Sequence, residues 1–245
     1  MKQGWFEIVS NNLIARDVYK MVLDGDATAV TMPGQFVNIK IEGLFLRRPI
    51  SICDYTDDSI TIIYKVVGRG TEIMCKMGKG TKLDLLVGLG NGFDAGKDTV
   101  KPLLVGGGIG TPPLYKLCKD LLARGIKPQV VLGFNSKADV FYEEEFKALG
   151  VDVAVTTVDG SYGIKGYVGE EVARKDYDFF YTCGPEPMLR ALSKVVTAKG
   201  QYSFEERMGC GFGACMGCSC KTLAGNKRIC KDGPVMESEV LIWEN

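Results

Sequence analysis

The chain has 245 residues, enough at ~100 to 200 residues per domain for one large domain or for two smaller ones with an appendage. Lysine plus arginine number 30 and aspartate plus glutamate 30, so the formal net charge is zero and no basic surplus exists to hold a nucleic-acid backbone. Histidine is absent, which excludes Ser-His-Asp and Cys-His catalysis and His-ligated zinc or haem, and leaves cofactors, cysteines and carboxylates to carry any chemistry.

The longest uncharged run, between Lys101 and Lys116, is broken by four glycines and three prolines and falls short of the ~20 apolar residues of a membrane span. The first seven residues develop no apolar signal core, so a cytoplasmic protein is expected. From Trp5 to Val87 the apolar residues come in short alternating or β-branched runs (36–41, 50–53, 59–67, 82–87) between turn clusters such as Asp24-Gly25-Asp26 and Thr56-Asp57-Asp58. This rhythm predicts a small antiparallel barrel over residues 1–98 with one short helix at 71–77. Within it, Arg47-Arg48-Pro49-Ile50-Ser51 enters a strand, and Ile63-Tyr64-Lys65 followed by Gly68-Arg69-Gly70-Thr71 leads into the helix. Free N–H groups at a helix start offer an anion site for a pyrophosphate, and Arg48 can add charge-assisted bonds; the same spacing suits a strand with exposed arginines and an ordinary turn.

A glycine-rich connector, 88–97, precedes a change of rhythm to strand then helix over residues 99–200. Strands are predicted at 103–105, 129–134, 151–157 and 179–182, and helices at 113–122, 140–149 and 187–199, which implies a parallel sheet with helices on both faces. Gly106-Gly107-Gly108-Ile109-Gly110-Thr111-Pro112-Pro113 follows the first of these strands and suits close backbone approach to a dinucleotide. It departs from G-x-G-x-x-G at Thr111, and the second strand runs into Phe134-Asn135-Ser136 without the acid expected for a ribose. Asp159-Gly160-Ser161-Tyr162-Gly163 either lines such a site or is a plain loop. Cys183-Gly184-Pro185-Glu186-Pro187-Met188 puts a small thiol at the ligand-binding edge of the sheet, unless Cys183 is simply a buried small hydrophobe.

Residues 201–245 have too little apolar periodicity for a core of their own, and five of the nine cysteines lie between Cys210 and Cys230. Clustered thiols in an odd total point to a metal rather than to disulfides. Cys210, Cys215, Cys218 and Cys230 are spaced C-x4-C-x2-C with one distant cysteine, as in loops that wrap a 2Fe-2S cluster, and Gly209, Gly211, Gly213 and Gly217 let the backbone curl toward cluster sulfurs. A four-cysteine zinc site is the other reading, although only Cys215 and Cys218 form a short knuckle. Cys220 competes with Cys230 on distance alone; the returning segment around Cys230 closes the loop better.

In this order the barrel with Arg48-Pro49-Ile50-Ser51, the Gly106–Gly110 turn and Cys183-Gly184-Pro185 resemble the ferredoxin-NADP reductase superfamily over about residues 1–200. With Cys210-Gly211-Phe212-Gly213-Ala214-Cys215-Met216-Gly217-Cys218 and Ile229-Cys230-Lys231-Asp232-Gly233-Pro234-Val235 added, the whole chain is similar to the electron transfer subunits of NAD-dependent dihydroorotate dehydrogenases of type B. The resemblance implies an α+β multidomain chain: an FAD-binding barrel, a parallel α/β NAD-binding domain and a 2Fe-2S segment at 201–245. It implies FAD held by Arg48 at the pyrophosphate and Ser51 near the flavin ring, with Pro49, Ile50, Ile63, Tyr64, Lys65, Gly70 and Thr71 completing the pocket. Ile50 stands where the superfamily often has tyrosine. NAD is expected over Gly106, Gly107, Gly108, Gly110 and Thr111, with Cys183, Gly184 and Pro185 near the nicotinamide. A cluster passes one electron at a time and nicotinamide takes a hydride, so a flavin must convert between them. The implied partner is an FMN-containing catalytic subunit that oxidises dihydroorotate to orotate in pyrimidine biosynthesis, in a heterotetramer of two of each chain. A flavin and iron-sulfur subunit of a ferredoxin-dependent NAD(P) transhydrogenase or sulfide dehydrogenase would share these features, and a zinc-binding scaffold is the non-enzymatic alternative.

Overall fold

Six strands from the first part of the chain close on themselves in the computed structural model, which describes residues 1–243. They are β1 (Lys2–Ala15), β2 (Val18–Asp24), β3 (Phe36–Ile39), β4 (Arg48–Tyr55), β5 (Ser59–Lys65) and β6 (Lys82–Leu89), hydrogen-bonded antiparallel in the order β1-β2-β5-β4-β3-β6. Alternation along each strand decides what faces inward. Val37, Ile39, Ile60, Ile62, Tyr64, Leu83, Leu85 and Val87 fill the barrel, while Phe36, Cys53 and Ile63 belong to clusters outside it. Helix α1 (Arg69–Met74) contributes Met74 to the barrel interior.

The second unit alternates β7 (Pro102–Gly107), α2 (Pro112–Ala123), β8 (Gln129–Phe134), α3 (Glu143–Ala148), β9 (Asp152–Thr157), β10 (Ile164–Lys165), α4 (Val168–Val172), β11 (Phe179–Cys183), α5 (Glu186–Leu192) and β12 (Lys199–Ser203). Its sheet runs β10-β9-β8-β7-β11-β12 in parallel, with β7 flanked by β8 on one side and β11 on the other. The chain order therefore reverses at β7, and the glycine turn after β7 lies at the switch point where open α/β sheets bind ligands. Both faces are covered as expected. Leu104, Val130, Leu132 and Tyr181 pack with Leu114, Leu117 and Leu121 of α2 and Phe146 of α3, whereas Leu103, Val105, Val131 and Phe180 pack with α4 and α5. Full burial of each such side chain contributes about 1.5 to 3 kcal/mol. Pro112 and Pro113 open α2, where a missing N–H costs nothing, and Gly125 at φ +76° follows its end.

The helix expected at 187–199 stops at Leu192, and Lys199 opens β12. The β-branched run Val195-Val196-Thr197 is poor helix, and Gly200 must pass so near the Phe180 ring and carbonyl that a Cβ would collide. The carboxy-terminal segment forms the hairpin β13 (Ser219–Thr222) and β14 (Gly225–Arg228), then β15 (Val235–Glu237), which joins the large sheet antiparallel to β12. Its own core is indeed small: Cys218, Ile229, Cys230 and Met236 pack against Phe36 and Leu89 of the barrel.

The barrel and the α/β unit share apolar and ionic contacts. Val18, Cys53 and Ile63 sit in the same cluster as α2 and α3. Across this seam Lys119 meets Asp54 at 2.7 Å and Arg16 meets Asp139 at 2.5 Å. No helix among the described residues is long and apolar enough to cross a membrane.

Candidate electron-transfer site

At the carboxyl ends of the parallel strands opens a cavity of about 660 Å³. Gly107 at the end of β7 with Gly108 and Ile109 after it, Phe134 at the end of β8 with Asn135 after it, Val158 after β9, and Pro185 and Met188 at the start of α5 line it, and the barrel adds Val18 and Lys65. The volume falls within the ~300 to 1,000 Å³ usual for cofactor clefts. Within the turn the glycines have different jobs. A Cβ on Gly106 would meet Thr111 and Leu114, one on Gly107 would meet Met188, and one on Gly110 would strike the Cys183 carbonyl. Only Gly108, at φ +51°, has open space before it. The turn is thus packed from behind and bare toward the cavity, which suits a ligand approaching the backbone.

Thr111, Cys183 and Gly184 support this turn from behind. Cys183 is 2% exposed, burial pushes its thiol up, and it does not line the cavity. Thr111 is fully buried and its hydroxyl has no hydrogen-bond partner among the described residues. Pro185 is a cavity wall. The Asp159–Gly163 loop holds itself: Asp159 accepts from the Ser161 N–H at 2.9 Å and hydroxyl at 2.7 Å, which draws its carboxyl below the ordinary range, and Ser161 Oγ accepts from the Lys137 N–H at 2.8 Å. Tyr167, Glu170 and Glu205 also line the cavity, although no motif pointed to them. Glu205 is an exposed residue on the cavity wall, and partial desolvation there raises its carboxyl.

On the barrel, the two adjacent arginines part company. Arg47 is consumed by the fold, donating to the carbonyls of Asn38 at 3.2 Å and Asp84 at 2.9 Å and to the Asp84 carboxylate at 2.9 Å. Arg48 donates to the Leu46 carbonyl and lies over Gly70, where any Cβ would displace it. Thr71 Oγ1 accepts from the N–H groups of Val67 at 3.0 Å and Gly68 at 3.3 Å, fixing the entry to α1. Pro49, Ile50 and Ser51 run along β4, and Lys65 reaches the cavity. Tyr64 offers the expected pocket its backbone only. Period-two alternation turns it into the barrel, where it is 1% exposed and donates to Asn11 Oδ1 at 2.9 Å, while Ile63 and Lys65 face the other way.

In the carboxy-terminal loop the thiols fall into two touching pairs, Cys210 with Cys215 and Cys218 with Cys230. Among the described residues no three ligating side chains close on one point, as a single metal ion would require. Two thiols for each of two irons is the division a 2Fe-2S cluster needs. Burial would raise the Cys210 thiol, but N–H groups of Phe212, Cys215 and Ala214 pull it down to about 6. The bonds from Ala214 and Cys215 measure 3.2 and 3.4 Å. Cys230, pushed up to about 12 by burial and its contact with Cys218, donates its N–H to Cys218 Sγ at 3.4 Å. Cys220 lies on β13, paired with Lys227, and packs beside the core that holds Cys218 and Cys230.

Residues 205–242 match the model of the iron-sulfur cluster binding domain of dihydroorotate dehydrogenase B, and residues 104–194 match that of an oxidoreductase NAD-binding domain. A dihydroorotate dehydrogenase B (NAD(+)) electron transfer subunit of Fusobacterium nucleatum is 46% identical over 244 residues, covering 93% of this chain and 94% of its own length. The subunit of the same name from Bacillus pumilus is 45% identical over 253 residues, covering 98% of each. Among solved structures, an NADH-dependent reduced ferredoxin-NADP oxidoreductase superposes with a TM-score of 0.87 at 29% identity, covering 97% of this chain and 90% of that one. FAD, a 2Fe-2S cluster and NAD are therefore the cofactors of this fold. With near-complete coverage at this identity, the chain belongs to the family of dihydroorotate dehydrogenase B (NAD(+)) electron transfer subunits.

Proposed function

We propose that the chain carries electrons from a partner's FMN, reduced by dihydroorotate, to NAD+ by way of its own 2Fe-2S cluster and FAD. The observation that carries this reading is an arrangement. Cys218 and Cys230 of the carboxy-terminal segment, with Cys210 beside them, pack on the barrel at Phe36 and Leu89, and the cavity at the sheet edge takes Val18 and Lys65 of the same barrel as walls. Flavin supplies the conversion between one-electron and two-electron transfer that neither nicotinamide nor the cluster can make. Arg48 and Gly70 serve the FAD diphosphate, Ser51 the flavin ring, Gly107, Gly108 and Pro185 the dinucleotide, and Cys210, Cys215, Cys218 and Cys230 the two irons. Glu205 faces the same cavity and is a candidate to hold a proton there.

The dihydroorotate pocket, the FMN and a catalytic base belong to the partner, and a cytoplasmic assembly of two chains of each kind is part of the same proposal. Relatives of 45–46% identity over nearly the full length favour this reading over a ferredoxin-dependent one, to which the likeness is 29%. The decisive experiment uses the purified chain alone and then mixed with the partner subunit. NADH is expected to bleach the flavin of the single chain and dihydroorotate to leave it oxidised; adding the partner should give dihydroorotate-dependent NADH formation. Orotate production by the single chain, or activity only with a ferredoxin-linked partner, would refute the proposal.

A further inference from the structure

Asn38, in the middle of β3, is 1% exposed and shares the outward face of the barrel with Pro49, its partner across β4. Its neighbours Val37 and Ile39 fill the barrel interior, so an amide on the opposite face contributes little to that core. The carboxamide Nδ2 donates to the carbonyl of Cys210 at 3.2 Å, while Oδ1 is buried with no donor among the described residues. Gly211, the next residue of the cluster loop, has φ +77° and no room for a Cβ because the Asn38 amide occupies the space.

The backbone beneath this amide is rigidly held. Arg47 binds the Asn38 carbonyl and is itself anchored on Asp84, whose carboxylate also accepts Gln3 Nε2 at 2.9 and 3.0 Å. Two residues away, Phe36 pairs with Ser51 on β4 and packs among Cys218, Ile229 and Cys230. Asn38 thus stands between the β4 stretch assigned to FAD and the first thiol assigned to the cluster. Polar side chains this deeply buried are normally satisfied by the fold; this one spends its donor on a ligand residue and keeps its acceptor open at the seam between the two cofactor sites.

We propose that Asn38 is the positioning residue that couples cluster to flavin, its carboxamide fixing the Cys210 end of the cluster loop against the Pro49–Ser51 strand; this rests on the cofactor assignment above. One-electron exchange between two buried centres depends steeply on their separation, and outer partners of metal ligands set both geometry and potential. The N–H also brings the positive end of a dipole toward Cys210, which stabilises the reduced cluster, so its loss should lower the midpoint potential.

The test compares Asn38→Leu, which keeps the volume and removes both polar atoms, and Gly211→Ala, which pushes the amide aside, with Asn91→Ala as control. Asn91 makes a comparable bond from the barrel end to the Asp232 carbonyl at 3.1 Å, but not to a thiol ligand. Iron and flavin content, the spin-resonance spectrum of the reduced cluster, its midpoint potential and the rate of electron exchange with FAD are measured on the full chain. Asn38→Leu and Gly211→Ala are expected to alter the spectrum, lower the potential and slow exchange about 10- to 100-fold, with the control at parental values. Loss of the cluster from both test variants but not from the control has the same meaning. Parental spectrum, potential and exchange in Asn38→Leu, or equal changes in Asn91→Ala, would overturn the proposal. Absence of iron or FAD from the parent chain would instead overturn the cofactor assignment.

Discussion

Gly108 shows how a single residue can be free in space yet constrained in backbone. Nothing lies within 4 Å of where its Cβ would be, but φ is +51°. Gly108→Val should therefore cost about 1 to 2 kcal/mol in left-handed backbone strain and place a branched side chain in the cavity. Stopped-flow bleaching by NADH should show a raised half-saturation concentration with FAD content intact; unchanged kinetics would remove NAD from this turn. The thiols give a sharper contrast. Cys220→Ser should retain the cluster and Cys230→Ser should lose it, because Cys230 touches Cys218 whereas Cys220, half-buried beside the same small core, sits within the β13 hairpin paired with Lys227. Iron analysis with spin resonance reads both, and the reverse result would reassign the fourth ligand. These cysteines were legible as a spacing. Asn38 and Glu205 were not, since a lone asparagine or glutamate acquires meaning only from what folding puts beside it.

Among the elements, the parallel strands were the most legible, because continuous apolar runs such as 129–134 leave little choice of structure. Register and facing were less so. Ile63, Tyr64 and Lys65 are consecutive, and a strand sends the middle one to the opposite side, which a motif read as a string cannot express. The contacts that orient the barrel against the α/β unit were also invisible, being pairs far apart in sequence such as Arg16 with Asp139. Burial alone would raise the Asp139 carboxyl, but bonds from Arg16 and Ser136, with Lys65 nearby, hold it below its ordinary value of 3.8. A group whose folded pKa is depressed stabilises the native state above its ordinary pKa and loses that contribution as pH falls through the lower folded value. Asp139→Asn should accordingly lower the urea midpoint at neutral pH, with the gap from the parent closing in strong acid. An equal gap at both pH values would mean that packing, not charge, joins the two units here.

At the level of the whole molecule, the sequence identified three modules but not how the third is attached. The segment after Cys230 returns to lay β15 beside β12, with Gln201 against Glu237 and Tyr202 against Met236, and Trp243 comes within 5.2 Å of the Tyr202 ring. Without β15, the parallel sheet would end in β12 with a row of unpaired N–H and C=O groups beside an aromatic surface. Such an open margin is a template for pairing with another chain. Under the proposed ligand assignment, holding Cys230 in the cluster would therefore also keep the sheet closed to its own kind. Chelation of the iron should release the segment and drive the chain into sheet-paired multimers visible by light scattering, and unchanged scattering after chelation would refute this. On this view the redox centre doubles as the molecule's guard against edge-to-edge aggregation, and oxidative damage to the cluster would remove both the electron path and the protein from solution.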